Sequence, residues 1–420
     1  MLHDPSRHEP LRTNAWDEAH VRATIARIVD ETVAAFTPDA LWPVHSRDVD
    51  PGEDPDAPVT NLYCGAAGVI WALDWLRAAG AADSPSFAQH LGPLRERNRD
   101  ALDDMPGDNT GSYLMGDLPF AMMAWGHAPS AARADAIAAL IERNVDHPAR
   151  ELMWGSPGSL LAAALMHGAT GDERWAALFR RIAQRLREQL LYSPRQACHY
   201  WSQDLYGRQS RYIDAVHGFV ATGRALLMGR HLLPGTDWRH WQACIETTVA
   251  NTAIRENGRA TWPVQADEAP GTPQKWLMQF CHGAPGFVIC LADLPGHAVD
   301  PLLVEAGEAI WAAGPLAKGS NLCHGTAGNA YAFLVLLART REARWRERAR
   351  AFAMHAIAQF EAETARTGRL RHSLWTGDIG LAIFLWDCVK ETPRFPTLDV
   401  FFSEVCRTDT SGTVGAGTAL

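Results

Sequence analysis

Amphipathic and apolar segments alternate along the chain. Six segments space their apolar residues by three and four positions, which predicts amphipathic helices. These six span residues 16–36, 131–145, 172–191, 238–253, 302–313 and 341–363, and a poorer seventh spans residues 87–102. Each is followed by a turn that contains glycine and then by a run that is apolar on most faces, such as residues 69–73. A helix that is apolar all round is buried, so the pattern predicts seven outer helices that alternate with seven inner ones.

The glycine turns recur at a regular spacing. Their leading glycines are Gly65, Gly116, Gly155, Gly218, Gly283, Gly325 and Gly377. A period of roughly 50 residues is typical of an array or ring of repeated units. Closing the repeat predicts an all-α fold, a double-layered α/α barrel (toroid) of seven inner and seven outer helices, with the turns together at one mouth. An open solenoid of helix pairs is the alternative.

Two of the turns depart from the repeat. Asp117 and Pro119 follow the glycine of the second turn, and after Gly218 the next glycine is delayed to Gly223. The other turns carry a second glycine three residues after the first, where a turn with unusual dihedral angles and close packing favours it.

A ring of repeats grows as one unit, so the 420 residues are expected to form one domain, although chains of this length often divide. The predicted divisions are a mobile N-terminus at residues 1–15, a single toroid domain at residues 16–406 and a flexible tail at residues 407–420. Proline-rich stretches at residues 42–58 and 263–273 are interpreted as long loops between an outer helix and the next turn.

The net charge, the hydropathy and the cysteines of the chain indicate which partners and which cellular compartment to expect. The net charge of −9 argues against a nucleic-acid partner. No apolar run reaches the length of a membrane span, and the first residues lack a secretory pattern. The eight cysteines are scattered, and several lie within helical patterns. This distribution predicts reduced thiols in a cytoplasmic protein.

The sequence Cys-His-Gly occurs in both the fifth and the sixth turn. Cys281 and His282 precede one glycine, and Cys323 and His324 precede the other. Equivalent points of a closed repeat face each other, and zinc binds thiolate and imidazole, so Cys281, Cys323 and His324 are a candidate Cys₂His site with one open position. The alternatives are small core residues with hydrogen-bonded histidines, or a closed structural zinc that includes His282.

With these motifs, the sequence resembles the lanthionine synthetase C-like family. The motifs Cys-His-Gly-Ala-Pro-Gly and Leu-Cys-His-Gly-x-x-Gly-Asn-Ala-Tyr stand here at residues 281–286 and 322–331. The resemblance covers the glycine-turn repeats from the first to the seventh. It implies a double-layered barrel of seven inner and seven outer helices, and it implies that Cys281, Cys323 and His324 bind Zn²⁺.

The resemblance also implies catalytic residues in two other turns. The histidine of the family's Ala-His-Gly turn, a proton donor or acceptor, falls on His217, although Ala221 replaces the second glycine there. The acid before the third turn falls on Glu151, where antibiotic cyclases tend to have Asp. Asp214 and His199 are near the fourth turn in sequence and are candidates to support this site.

Three further residues are predicted to bind substrate. Lys318 matches a basic residue near the thiol site of glutathione-binding members, and Arg371 is a second candidate anion contact. His282 matches the eukaryotic-type, stand-alone members better than the antibiotic cyclases, where Tyr is common. The implied chemistry is addition of a thiol, from a peptide Cys or glutathione, to a dehydrated peptide or protein. A separate dehydratase is then a candidate partner.

Other functions remain open at this point. A non-catalytic zinc-containing protein that binds glutathione or a peptide is the main alternative, and the altered fourth turn motivates it. A zinc prenyltransferase needs an Asp beside Cys and His and also a partner subunit. A glycosidase needs two carboxylates at the mouth, for which Glu151, Asp117 and Asp378 stand at turn positions, but it leaves the paired Cys-His turns unexplained.

Overall fold

The computed structural model describes residues 2–49, 52, 54, 57–103, 105–266 and 275–402, and in these residues fourteen α-helices alternate between two layers. The outer helices are α1 (Glu18–Ala35), α3 (Leu91–Asp103), α5 (Ala131–Arg143), α7 (Glu173–Glu188), α9 (Gly235–Thr252), α11 (Asp300–Ala313) and α13 (Ala343–Thr367). The inner helices are α2 (Ala66–Ala78), α4 (Leu118–His127), α6 (Ser156–Thr170), α8 (Phe219–Met228), α10 (Ala284–Leu291), α12 (Thr326–Thr340) and α14 (Asp378–Lys390). The prediction of seven outer and seven inner helices is confirmed.

The two layers differ in burial as the sequence pattern requires. On α7 one face buries Trp175, Phe179 and Ile182 while the other carries exposed charge. The inner helix α12 buries every residue from Thr326 to Leu337. Removing such apolar surface from water is the main term that favours folding, so the inner helices form the core and the outer helices separate it from solvent.

Backbone hydrogen bonds run from turn to turn at the N-termini of the inner helices, from the fifth turn through the seventh and first to the fourth. The N–H of Cys281 donates to Cys323 (3.2 Å), that of Cys323 to Trp375 (2.8 Å) and that of Trp375 to Tyr63 (3.1 Å). The ring continues from Tyr63 to Leu114 (3.3 Å), and then through the third turn to the fourth. The bond from Trp375 to Tyr63 joins the seventh turn to the first, so the repeat closes and the open solenoid is wrong.

The second glycine of a turn is needed where neighbouring turns touch. A Cβ on Gly68 would lie 2.2 Å from the carbonyl oxygen of Leu62 and 2.9 Å from the Cβ of Leu374 in the seventh turn. In the fourth turn Ala221 takes this position and is buried. Gly223 lies within α8, where an added Cβ would make only ordinary contacts with Ile245. The delayed glycine is therefore not a displaced turn glycine.

Within the part of the chain that the structure describes, three short antiparallel hairpins interrupt the helical repeat, and the sequence pattern did not predict them. Their strands are β1 (Leu191–Ser193) with β2 (Cys198–Tyr200), β3 (Gln203–Leu205) with β4 (Arg208–Ser210), and β5 (Ile254–Glu256) with β6 (Arg259–Thr261). Two of them lie between α7 and the fourth turn. The predicted helix at residues 172–191 ends earlier, at Glu188, because β1 begins at Leu191.

Residues 395–402 fill the centre of the barrel beneath the ring of turns. Phe395 stacks on Phe280, with 4.3 Å between ring centroids, and lies 5.5 Å from Trp375. Asp399 pairs with the buried guanidinium of Arg224 on α8. The floor of the mouth is therefore packed from below by the last described part of the chain.

The described part of the N-terminal segment lies against the barrel. The side chain of Arg7 donates to Gln279 (3.1 Å) and the backbone N–H of Glu9 donates to Pro315 (3.0 Å). The mobility expected for residues 1–15 stays a prediction. The tail at residues 407–420 and the predicted domain end at residue 406 lie outside the described residues. Among the described helices, none combines the length and apolar character that crossing a membrane requires.

Candidate metal centre and catalytic surroundings

The fifth and sixth turns bring together the three predicted metal ligands. The Sγ atoms of Cys281 and Cys323 and a ring nitrogen of His324 lie within 4.8 Å of one another. The backbone bond from Cys281 to Cys323 fixes one turn beside the other. Asn321 accepts the N–H of His324 at 3.0 Å and so holds the sixth turn in place. The structure therefore brings the two Cys-His turns together, as the repeat predicted.

The donor set fits zinc. Two thiols with one imidazole are ligands that zinc prefers, and the three ligand atoms lie close enough together to hold one metal ion. Burial, with help from the charge of Lys318, lowers the pKa of His324 to about 3, so its imidazole is neutral, as a ligand must be. A hydrogen bond from Cys281 lowers the pKa of Cys323 and raises that of Cys281.

Two side chains outside the predicted set contact the ligand sulfurs. The hydroxyl of Tyr63 donates to Sγ of Cys323 (2.9 Å), and Nε2 of Gln279 donates to Sγ of Cys281 (2.9 Å). Such donors favour thiolate and orient the ligands. A signal for Tyr63 was available, because it stands in the first turn at the position that Cys281 and Cys323 take in theirs.

Glu151 and His217 form a buried pair at the same mouth. Glu151 is fully buried and accepts the N–H groups of Met153 (3.0 Å) and Trp154 (2.6 Å). Its Oε2 is 2.8 Å from Nδ1 of His217. Burial acts to lower the pKa of His217, but the Glu151 carboxylate outweighs it and raises that pKa to about 9. His217 is therefore protonated at neutral pH.

His282 and Asp214 form a second pair of imidazole and buried carboxylate, but their facing atoms do not have hydrogen-bond geometry. Asp214 is fully buried, and its Oδ1 accepts the N–H groups of Val216 (3.0 Å) and His217 (2.8 Å). Its Oδ2 lies 2.8 Å from Nδ1 of His282. Asp214 thus touches both histidine turns. His199, the other supporting candidate, lies on β2, where its backbone N–H donates to Thr248 of α9.

Lys318 and Arg371 line one polar cavity of about 220 Å³. No acidic residue in the described part of the chain is within ion-pairing distance of the Lys318 ammonium. The Arg371 guanidinium, in contrast, pairs with Asp48, and Nε is 2.5 Å from the carboxylate. Lys318 therefore has no ion pair among the described residues of this cavity, which Glu9, Glu363 and Asp378 also line, whereas Asp48 balances most of the Arg371 charge.

The carboxylates that a glycosidase would need already have partners within the protein. Asp117 is fully buried and pairs with Arg95 and Arg99 of α3. Asp378 accepts the backbone N–H of Arg371 at 2.8 Å. Since Glu151 is bound to His217, the described turns do not offer two free carboxylates that face each other.

Comparison with known proteins agrees with this geometry. Residues 129–400 match the family model described as "Lanthionine synthetase C-like protein". A protein of Danio rerio named glutathione S-transferase LANCL1 is 36% identical over 135 residues, which are 31% of this chain and 33% of that protein. LanC-like protein GCL1 of Arabidopsis thaliana is 34% identical over 141 residues, 31% of this chain and 32% of that protein. The match spans only about a third of the length of these relatives.

The solved structure of nisin cyclase has a similar fold. It aligns over 88% of this chain and 93% of its own, with a TM-score of 0.54 and 15% sequence identity. At this identity the likeness concerns the fold alone, and it agrees with the closed α/α toroid. The family model covers well over half of the residues, and the chain belongs to the lanthionine synthetase C-like family.

Proposed function

We propose that the protein is a zinc-dependent enzyme that adds a thiol to a dehydroamino acid of a peptide or protein and so forms a thioether. The observation that carries the proposal is the presence of two chemical groups at one mouth. One is the cluster of Cys281, Cys323 and His324, and the other is the pair of Glu151 and His217. Cys281 is one of the groups that raise the pKa of His217, so the two groups lie close to each other.

The reaction balances with these groups. The sulfur of the thiol forms a bond to the β-carbon of dehydroalanine or dehydrobutyrine, the double bond is lost, and the α-carbon gains a proton. Zinc, when bound, supplies the positive charge that lowers the pKa of a substrate thiol. Since Glu151 is bonded to Nδ1 of His217, the imidazole gives the proton on Nε2 to the α-carbon as a general acid. The charge of the Glu151 carboxylate keeps the imidazole doubly protonated beforehand. The proton that the thiol releases replaces the one that His217 donates.

Substrate binding is proposed for three side chains. Lys318 binds a carboxylate of glutathione or of the peptide, because its charge has no acidic partner in the described residues. Arg371 contributes less, because Asp48 already holds its guanidinium. Since Asp214 occupies the Nδ1 side of His282, the Nε2 side is the one that can hydrogen-bond to the carbonyl of the acceptor.

Two further findings support this proposal. One is that a relative is named a glutathione S-transferase. The other is that no two cysteines within the described residues form a disulfide, in keeping with a reducing, cytoplasmic setting. The dehydrated acceptor is the product of water elimination from Ser or Thr, so a separate dehydratase is a proposed partner when the substrate is a peptide.

The test is thioether formation by purified protein loaded with one equivalent of zinc. The substrates are a dehydroalanine peptide with glutathione and a second dehydroalanine peptide with an internal Cys, and mass spectrometry detects the product. His217→Ala is expected to lower the rate by about 100-fold or more. His297→Ala, a change at an exposed histidine, is the matched control. Absence of product from both substrates with wild-type protein contradicts the proposal.

A non-catalytic binding protein is the second candidate, and Ala221 in the altered fourth turn is the observation that favours it. In that case the zinc-loaded protein binds glutathione with normal stoichiometry but yields no thioether. His217→Ala then leaves the affinity for glutathione unchanged. Calorimetric titration of wild-type protein and this variant separates the two functions.

A further inference from the structure

The hairpin of β3 and β4 is fixed on the rim of the mouth. Its base is held by the buried side chain of Gln203, which accepts the N–H of Tyr212 (2.8 Å) and donates to the carbonyl of the same residue (3.2 Å). Asp204 donates its N–H to Pro148 (3.1 Å), and Arg150 donates to the carbonyl of Ser202 (2.9 Å). The hairpin is thus tied to the loop that leads into Glu151.

The tip of this hairpin carries a tyrosine where a smaller residue is expected. Leu205 pairs with Arg208, so Tyr206 and Gly207 form a two-residue turn, with φ of 54° and 72°. A turn with two positive φ angles favours Asn, Asp or Gly. An aromatic residue in this conformation is strained, and strained residues cluster at functional sites.

Tyr206 is fixed at one end and open at the other. Its hydroxyl accepts a hydrogen bond from Nε1 of Trp154 (3.1 Å), and the two rings meet edge to face at 6.4 Å. Burial, followed by the charges of Glu151 and Cys64, raises the pKa of its hydroxyl, so the hydroxyl end lies at the mouth. The residue as a whole is nevertheless 71% exposed, which leaves a face of the ring free.

Exposed apolar surface of this kind is confined to one part of the molecule. Within the described residues, the large hydrophobic side chains that are exposed are Leu191, Tyr192 and Tyr206, all on the two hairpins before the fourth turn. Tyr206 is the most exposed of the three. It is also the one that contacts Trp154, and Trp154 lies beside the catalytic pair because its backbone N–H donates to Glu151 (2.6 Å).

We propose that the exposed ring of Tyr206, whose hydroxyl is held by the buried Trp154, is the binding surface for an apolar side chain that flanks the dehydroamino acid of the substrate peptide. The inference rests on the proposed function, because the acceptor must lie at His217. His217 is bound to Glu151, Glu151 is bound to Trp154, and Trp154 is bound to Tyr206, so the residue next to the acceptor reaches the Tyr206 ring. A flat, rigid ring with its hydroxyl already bonded selects leucine-like or aromatic side chains over charged ones.

The test compares peptides that differ only beside the dehydroalanine, where one carries Leu and the other Gly. Tyr206→Asn removes the ring but places a favoured residue in the turn, so the hairpin is retained. The expected result is an increase of about 10-fold in KM for the Leu peptide, with kcat unchanged and no change in KM for the Gly peptide or glutathione. Tyr206→Phe keeps most of the effect of the ring, and Tyr192→Ala, at an exposed tyrosine of the other hairpin, changes neither KM.

A binding measurement keeps this inference separate from the proposed function. The probe is the Leu peptide with alanine in place of dehydroalanine, titrated calorimetrically into wild-type protein and Tyr206→Asn. An affinity about 10-fold weaker in the variant supports the surface even if no thioether forms. Equal affinities, equal KM values for the Leu peptide, or an equal fall of kcat with both peptides would overturn it.

Discussion

Glu151 and His217 lie 66 residues apart in sequence and meet through a 2.8 Å hydrogen bond between the carboxylate and Nδ1. The backbone N–H groups of Met153 and Trp154 hold the carboxylate in place, so its orientation does not depend on the histidine. The third turn thus provides a fixed negative charge, and the fourth turn provides the imidazole that this charge keeps protonated.

Replacing Glu151 with glutamine is expected to move the alkaline limit of activity. In the wild-type protein His217 keeps its proton below its pKa of about 9 and loses it as the pH rises through that value. Without the carboxylate charge, the lowering effect of burial on the pKa of His217 is no longer outweighed, and the proton is lost at a clearly lower pH than in the wild-type protein. The pH profile of kcat/KM for thioether formation measures both limits. An alkaline limb that stays near pH 9 in Glu151→Gln means that His217 is not the acid.

The pair of Glu151 and His217 is also expected to make the free energy of unfolding depend on pH. The pKa of His217 is raised on folding, so its contribution is complete below about pH 6.5 and is lost as the pH rises through about 9. The shift corresponds to about 3 kcal/mol. Urea unfolding of zinc-free wild-type protein and Glu151→Gln tests this, and the difference between them should shrink with rising pH. A difference that is constant across this range contradicts the assignment.

One zinc per chain is expected in wild-type protein, with loss of the metal in Cys323→Ala and His324→Ala. The reason is that two remaining ligands hold zinc far more weakly than three. Cys64→Ala is the control, since Cys64 is a thiol of the first turn outside the ligand cluster. Metal analysis after dialysis gives the stoichiometry. Retention of zinc by both ligand variants would place the metal elsewhere.

Tyr63→Phe is expected to weaken zinc binding by roughly 10- to 100-fold, because the hydroxyl that donates to Cys323 is lost. Tyr113→Phe removes another tyrosine hydroxyl, which donates to the carbonyl of Thr397 (2.6 Å). The control is expected to lose about 1 kcal/mol of stability with unchanged zinc affinity. Competition with a fluorescent chelator measures both proteins, and equal affinities would remove Tyr63 from the site.

Two glycine variants test the closure of the ring. Gly68→Ala places a methyl group against Leu62 and against Leu374 of the seventh turn, so a loss of about 3 kcal/mol is expected. Gly223→Ala meets only ordinary contacts within α8 and is expected to be neutral or up to about 1 kcal/mol more stable. Urea unfolding of both variants is the measurement. Equal stabilities would mean that the first and seventh turns are not tightly packed.

The helices and the metal cluster were predictable because their signals are local or repeated. Apolar periodicity gave the seven outer helices to within a few residues at most ends. The paired Cys-His turns gave Cys281, Cys323 and His324, and closure of the ring is what brings them together. Glu151 and His217 came from family motifs, since no local pattern shows that a carboxylate and an imidazole in different turns will touch.

The features that were not predicted depend on contacts between distant parts of the sequence or on short elements of secondary structure. The pairing of Arg371 with Asp48 spans 323 residues, and nothing in either local sequence predicts it. The strands of the hairpins are three residues long, too short for a periodic signal, so the position of Tyr206 was not predicted. Gln279 precedes the fifth turn by only two residues, but its contact with Cys281 depends on side-chain orientation.

The hydrogen bond from Trp375 to Tyr63 also bears on how the molecule folds. Each helix pair forms from neighbouring segments, which is fast, whereas joining the seventh turn to the first requires two distant parts of the chain to meet. During synthesis α2 emerges long before α14, so its apolar edge has no partner until the last repeat arrives. Ring closure is therefore expected to be the slow folding step, and the incomplete ring is the species most exposed to aggregation.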